Sequence, residues 1–231
     1  MSSSDSSNKS NESLKFKSIL SDKTHYGVIW NGIYENHKCV IKVVVLNTGI
    51  HYDKQSDKYY DAKKKISKKS AIKAFSQDDH IPYLHTRYIK KKAMDIKTFH
   101  HEVKMIKEVA KLRLAPELYD SWVDNTTSKI HYGIIVMRKL SMTVKDIILE
   151  RDLTSAELNY LKDKIHKLHN YGIKHGDLKP SNIGIDCDKT GKIRRFRIID
   201  WAKGQYTKDD DLFKRDLRTF HAHIKKNIKE R

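Results

Sequence analysis

The run from His175 to Asp186, HGDLKPSNIGID, constrains this chain more than any other stretch. Pro180 lacks an amide hydrogen and sets a tight turn, so the polar tract His175–Asn182 reads as a loop. An amphipathic helix precedes it in TSAELNYLKDKIHKLHNYG, with Leu158, Leu161, Ile165 and Leu168 on one face and Thr154 or Ser155 as cap. A short hairpin follows in NIGIDCDKTGKIRRFRIID, turning at DKTG and ending an apolar strand on Asp200.

Those polar groups match what phosphoryl transfer demands. The reaction needs metal-bridged phosphates, a positioned acceptor hydroxyl, and cations against the developing charge. Asp177 can orient the hydroxyl and accept its proton, and Lys179 can touch the transferring phosphate. Asn182 offers an amide oxygen, and Asp200 a carboxylate, to magnesium. Lys42, inside the strand CVIKVVV, can reach nucleotide phosphates, and Glu102 on a helix can pair with Lys42 and aim it.

The rest of the chain supplies a matching frame. Gly27–Tyr34 and Lys38–Leu46 are β-rich runs joined by the polar turn ENH, within a first ordered region from His25 to Leu46. Residues 47–98 hold thirteen Lys and Arg against six Asp and read as an insertion between core elements. There Ala62–Phe75 predicts a basic helix, and IPYL at 81–84 interrupts any longer one. Phe99, Val103, Ile106, Val109 and Ala110 recur at helical spacing before Pro116. Strands follow in ELYDSWV and IHYGIIVM, then a helix in TVKDIILE. A closing helix carries Phe213, Leu217, Phe220, Ile224 and Ile228.

In order and spacing these elements resemble the protein kinase superfamily over about residues 14–220. VIKV resembles the kinase strand with its lysine at Lys42, and FHHEVKMI the first large helix with its glutamate at Glu102. IIVMRKL resembles the strand into the hinge, with Met137 as gatekeeper and Lys139 in the adenine-facing linker. HGDLKPSN resembles the catalytic loop and IIDWA the metal-binding Asp-Phe-Gly motif. The resemblance implies an α+β, two-lobed kinase-like fold: a tail over 1–13, a β-rich N-lobe over 14–140 with the basic insertion at about 47–98, and a shortened helical C-lobe over 141–231. It implies an ATP- and Mg2+-dependent phosphotransferase, by default a Ser/Thr protein kinase, with Asp177 as base. Two other readings stay open: a pseudokinase acting as a binding module, and a small-molecule or nucleic-acid-associated phosphotransferase.

The sequence also departs from the family. In the phosphate-covering loop the first two glycine positions fall at Asp22 and Thr24, leaving only Gly27. Gly176 stands where most protein kinases carry an arginine that pairs with a phosphorylated activation segment, which implies no such switch. That His-Gly-Asp form resembles small atypical kinases such as the tRNA-modification (KEOPS) kinase and the aminoglycoside and choline phosphotransferases. Trp201 and Ala202 replace the Phe and Gly of the metal motif. The stretch from Asp200 to Asp216 is short and lacks an Ala-Pro-Glu segment, so the peptide-binding half of the second lobe is expected to be missing. DLRTFHA resembles the buried helix whose leading Asp216 supports the catalytic loop, with Asp211 as a rival.

Composition narrows the partners. With 47 Lys and Arg against 29 Asp and Glu, the 231-residue chain carries a net charge of +18. That favours polyanions, whether nucleic acid, acidic protein or anionic membrane, and equally fits a lysine-rich solvated surface. The longest apolar stretch, GIIVM at Gly133–Met137, is too short to span a bilayer. The Ser-rich tail lacks the apolar centre of a signal peptide and reads as disordered. Cys39 and Cys187 are expected as free thiols in a reducing, intracellular setting. The Lys/Asn/Ile-rich style resembles minimal kinases of large DNA viruses.

Overall fold

The computed structural model describes residues 14–24, 26–77, 88, 91–125 and 129–229. The elements in order are β1 (Leu14–Ser21), β2 (Gly27–Tyr34), β3 (His37–Val45), β4 (Ile50–Asp53), β5 (Lys58–Asp61), β6 (Lys64–Ile66), α1 (Lys68–Ser76), α2 (Ile96–Lys111), β7 (Leu118–Asp124) and β8 (Tyr132–Arg138). Then come β9 (Met142–Thr143), α3 (Val144–Glu150), α4 (Ser155–Asn170), β10 (Ile173–Lys174), a 3-10 turn (Pro180–Asn182), β11 (Ile183–Cys187), β12 (Ile193–Ile198), β13 (Gln205–Tyr206) and α5 (Asp210–Lys229). This is the expected α+β class, with a β-rich N-terminal sheet. The Ser-rich stretch 1–13 and the IPYL break at 81–84 lie outside the described residues. The chain divides into two compact units: the described residues of Met1–Ala93 with Trp122–Arg138, and those of Met94–Ser121 with Lys139–Arg231.

The first unit is built on a five-stranded sheet of order β1-β2-β3-β8-β7. Between β2 and β3, Glu35 and Asn36 take φ of 46° and 65°. Two left-handed residues in succession match the twist of an antiparallel pair, which is why a two-residue turn suffices. On β3, Cys39, Ile41, Val43 and Val45 are at most 1% exposed and face the core. β1 was not expected. It pairs antiparallel with β2, but its register shifts between Phe16 and Ser18 and again between Ile19 and Ser21. Two such shifts erase the period-2 alternation that marks a strand in sequence.

The described residues between Leu46 and α2 form elements of their own. β4, β5 and β6 form a three-stranded antiparallel sheet, and α1 follows. The helix expected over Ala62–Phe75 is therefore corrected: Lys64–Ile66 is strand, and the helix starts only at Lys68. Asp61 pairs with Lys64 and Tyr59 with Ile66 across the β5–β6 turn, while the Ser67 hydroxyl accepts from the Ser70 amide and caps α1. Ala71 and Phe75 are fully buried, so α1 is held by its apolar face and keeps its lysines outward.

In the second unit α2, α3 and α4 each have a local reason to start. The Asp95 carboxylate accepts from the Lys97 and Thr98 amides at the head of α2. Thr143 with Asp146, and Thr154 with Glu157, form capping boxes on α3 and α4, so Thr154 rather than Ser155 is the cap. α2 ends before Pro116, in a Schellman turn: Arg113 sits at φ 60°, its amide donates to Ala110 and the Leu114 amide to Val109. A second sheet of order β12-β11-β9 packs with α4 and α5 around Leu161, Ile165, Leu168, Ile198 and Phe220, each at most 1% exposed. Phe213, Leu217 and Ile224 of α5 are half-buried, and Ile228 lies outside the described side chains. Both cysteines are free thiols, Cys39 buried and Cys187 half-buried. Burial pushes the Cys39 thiol up to about 11, so it stays protonated at neutral pH. No helix among the described residues is long and apolar enough to cross a membrane.

Candidate active site

The loop His175–Asn182 is anchored from beneath by Asp216 of α5. Its carboxylate, in a residue 3% exposed, accepts the His175 amide at 2.6 Å and the Gly176 amide at 2.9 Å. His169 Nε2 approaches the same group at 3.4 Å. Burial pushes the Asp216 pKa up, but the hydrogen bonds from His169 and the two amides outweigh it and hold the group below its ordinary 3.8. The rival Asp211 is exposed and pairs with Lys214.

His175 is the hub of the loop and is fully buried. Its Nδ1 accepts the Asp177 amide at 3.2 Å, and its Nε2 lies 3.0 Å from the Ile199 carbonyl. An amide can only donate and a carbonyl only accept, so these partners assign the neutral tautomer with the proton on Nε2. Burial agrees, pushing the His175 pKa below 6.5.

The three expected loop residues meet. Lys179 Nζ donates to the Asp177 carboxylate at 3.1 Å. Asn182 Nδ2 donates to the Asp177 carbonyl at 2.9 Å and reaches its carboxylate at 3.4 Å. With Nδ2 engaged inside the loop, the amide oxygen of Asn182 is the atom left for a cation. The Asn182 carbonyl accepts the Ile199 amide at 2.9 Å. Ile199 is thus bonded to both ends of the loop, and it delivers the next residue, Asp200, to the same place. Asp200 is exposed at φ 66°, a left-handed conformation that costs a non-glycine residue about 1–2 kcal/mol. Among the described residues no three His, Cys, Asp or Glu side chains cluster around a metal position. The oxygen donors on offer are Asp200 and Asn182, hard ligands that suit magnesium.

Gly176 has a steric explanation. It sits at φ 79°, and a Cβ there would lie 2.7 Å from the Lys203 carbonyl. The segment after Asp200 packs directly over it, and Trp201, fully buried, meets His175 edge-on with ring centroids 4.7 Å apart. Of the other expected residues of this unit, Glu102 on α2 is 1% exposed and Lys139 is exposed.

Gly27, Lys42 and Met137 belong to the first unit. Lys42, 9% exposed on β3, pairs in register with Ile29 of β2 and Ile135 of β8, while Met137 pairs with Val40. Gly27 donates its amide to the Thr24 hydroxyl at 3.1 Å, and a Cβ there would fall 1.9 Å from the Val43 carbonyl. Packing between β2 and β3 therefore requires glycine at this position whether or not phosphate lies nearby. Lys91 of the insertion donates to the carbonyls of Asp22 and Thr24, bracing the glycine-poor turn. That brace has no signal in the sequence, because it joins residues far apart along the chain.

The family model of the lipopolysaccharide kinases (Kdo/WaaP) matches residues 85–230, more than half of the chain. The chain belongs to this family. The matched region of this Kdo/WaaP kinase takes in Glu102, Met137, Lys139, Asp177, Lys179, Asn182 and Asp200, while Gly27 and Lys42 precede it. Membership makes the protein a phosphotransferase of the kinase type, with ATP as phosphoryl donor. No curated protein matches the chain.

Proposed function

We propose that this Kdo/WaaP kinase transfers the γ-phosphoryl group of ATP to an acceptor hydroxyl, with Asp177 as the base. The observation that carries the reading is the Asp216-anchored loop, in which Asp177, Lys179 and Asn182 form one hydrogen-bonded set. Asp177 orients the hydroxyl and accepts its proton as the new P–O bond forms. Lys179 then turns from the Asp177 carboxylate to the transferring phosphoryl oxygens, and Lys42 neutralises charge on the nucleotide phosphates. Asn182 and Asp200 would hold magnesium, which when bound neutralises phosphate charge and aligns the leaving oxygen. Met137 and Lys139 flank the adenine in this reading.

Two acceptor classes are supported by different observations. The kinase-like motifs support the Ser/Thr hydroxyl of a protein. The family name, lipopolysaccharide kinase, supports a sugar hydroxyl, and on it we favour the sugar. The discriminating experiment supplies labelled ATP and magnesium with two acceptors in parallel, a mixture of Ser/Thr-containing peptides and a lipopolysaccharide core oligosaccharide. Label on the oligosaccharide is the expected outcome. Label on peptide alone restores the protein-kinase reading, and label on neither, with nucleotide still bound, returns the chain to a binding module.

A further inference from the structure

The short segment after Asp200 is gripped by one face of α2. His101, Met105 and Glu108 recur at i, i+4 and i+7 and so project from the same side of that helix. His101 Nε2 lies 2.6 Å from the Gly204 carbonyl, which can only accept, so the ring donates. The Met105 methyl would stand 3.4 Å from a Cβ added at Gly204. The segment is also folded on itself, since the Gly204 amide donates to the Trp201 carbonyl at 2.9 Å.

The far end of α2 is tied to the strand that leads into Asp200. Arg197 donates to the Arg113 carbonyl at 2.7 Å, and the Ile198 amide to the Leu114 carbonyl at 2.7 Å. Helix α2 is thus fastened both before and after Asp200, and the same helix carries Glu102. Segment and helix cannot shift independently while these bonds hold.

We propose that His101 is a positioning residue: it latches α2 to the Trp201–Tyr206 segment through the Gly204 carbonyl, fixing Asp200 and Glu102 in their working positions without a phosphorylated loop. This rests on the phosphotransferase reading above. A hydrogen bond of ordinary net strength biases an opening equilibrium roughly tenfold, so its loss releases the segment without unfolding the unit.

The test compares wild type with His101→Leu and His101→Gln. Leucine keeps the bulk without the donor, and glutamine returns an N–H near the Nε2 position. Amide exchange of the Ile198–Tyr206 peptide is read by mass spectrometry on the nucleotide-free protein, and kcat and the KM for ATP in the transfer assay. His101→Leu is expected to speed exchange roughly tenfold and lower kcat roughly tenfold, with KM within about twofold. His101→Gln should restore both. Wild-type exchange and kcat in His101→Leu would overturn the latch, as would faster exchange with unchanged kcat or a failure of glutamine to restore. If wild type transfers no phosphate to any acceptor, the functional reading fails while the exchange data still decide the latch.

Discussion

Asp216 shows at the scale of one residue how a buried anion holds a loop. Its two oxygens serve two backbone amides and a histidine, and no other group in the loop can replace them. Asp216→Asn keeps one acceptor and strands a buried donor, so we expect a loss of about 2–3 kcal/mol in urea unfolding with an unchanged m value. The pH dependence follows from two lowered pKa values. His175 is held below 6.5, so the unfolded chain takes the proton first: stability is full above that pH and falls as pH drops through it. Asp216 is held below 3.8, so its contribution is present above that value and is lost as pH falls further. The wild-type urea midpoint should therefore begin to fall near pH 6.5, and His175→Gln should remove this first arm and leave the acidic one. Sequence singled out Asp177, Lys179, Asn182 and Asp200 because the chemistry proposed for them is tied to local spacing. It left Asp216 and Asp211 as rivals, because only three-dimensional proximity to the His175 amide separates them. His101 carried no local signal, since its partner Gly204 lies on a different element.

At the scale of elements, caps and terminators are the legible features, and they yield quantitative expectations. Thr154→Ala removes the α4 cap and should cost about 1 kcal/mol, read as a shift in the thermal midpoint. Arg113 closes α2 in a left-handed conformation with an exposed side chain, so Arg113→Gly should stabilise the protein by about 0.5–1 kcal/mol. An unchanged midpoint in Arg113→Gly would mean that the side chain contributes packing which offsets its strain. The helices α2, α3, α4 and α5 were readable from period and caps. β1 was not, because two register shifts break its alternation, and β6 was masked by lysines that suit a helix surface equally well. The Asp61–Lys64 pairing across a two-residue turn was the available clue, and it depends on knowing that β5 is a strand.

Over the whole molecule, the sequence motifs and the family model agree on a kinase-type phosphotransferase, and each of the two units carries part of the expected residue set. The +18 charge is not explained by that chemistry. Much of it sits on residues 47–98, where Lys63, Lys64, Lys65, Lys68 and Lys69 face solvent around a small buried core. The acceptor was the least legible feature, because substrate choice depends on surfaces that no short motif encodes. The central claim is that Asp177, held in a preorganised loop, acts as base while the γ-phosphoryl group passes from ATP to an acceptor hydroxyl. It is tested most directly by single-turnover label transfer from ATP and magnesium to the preferred acceptor, comparing wild type with Asp177→Ala after both are shown to bind ATP. The account predicts a rate lower by about 10²–10⁴ in Asp177→Ala with ATP affinity retained. Transfer by Asp177→Ala at the wild-type rate would contradict it.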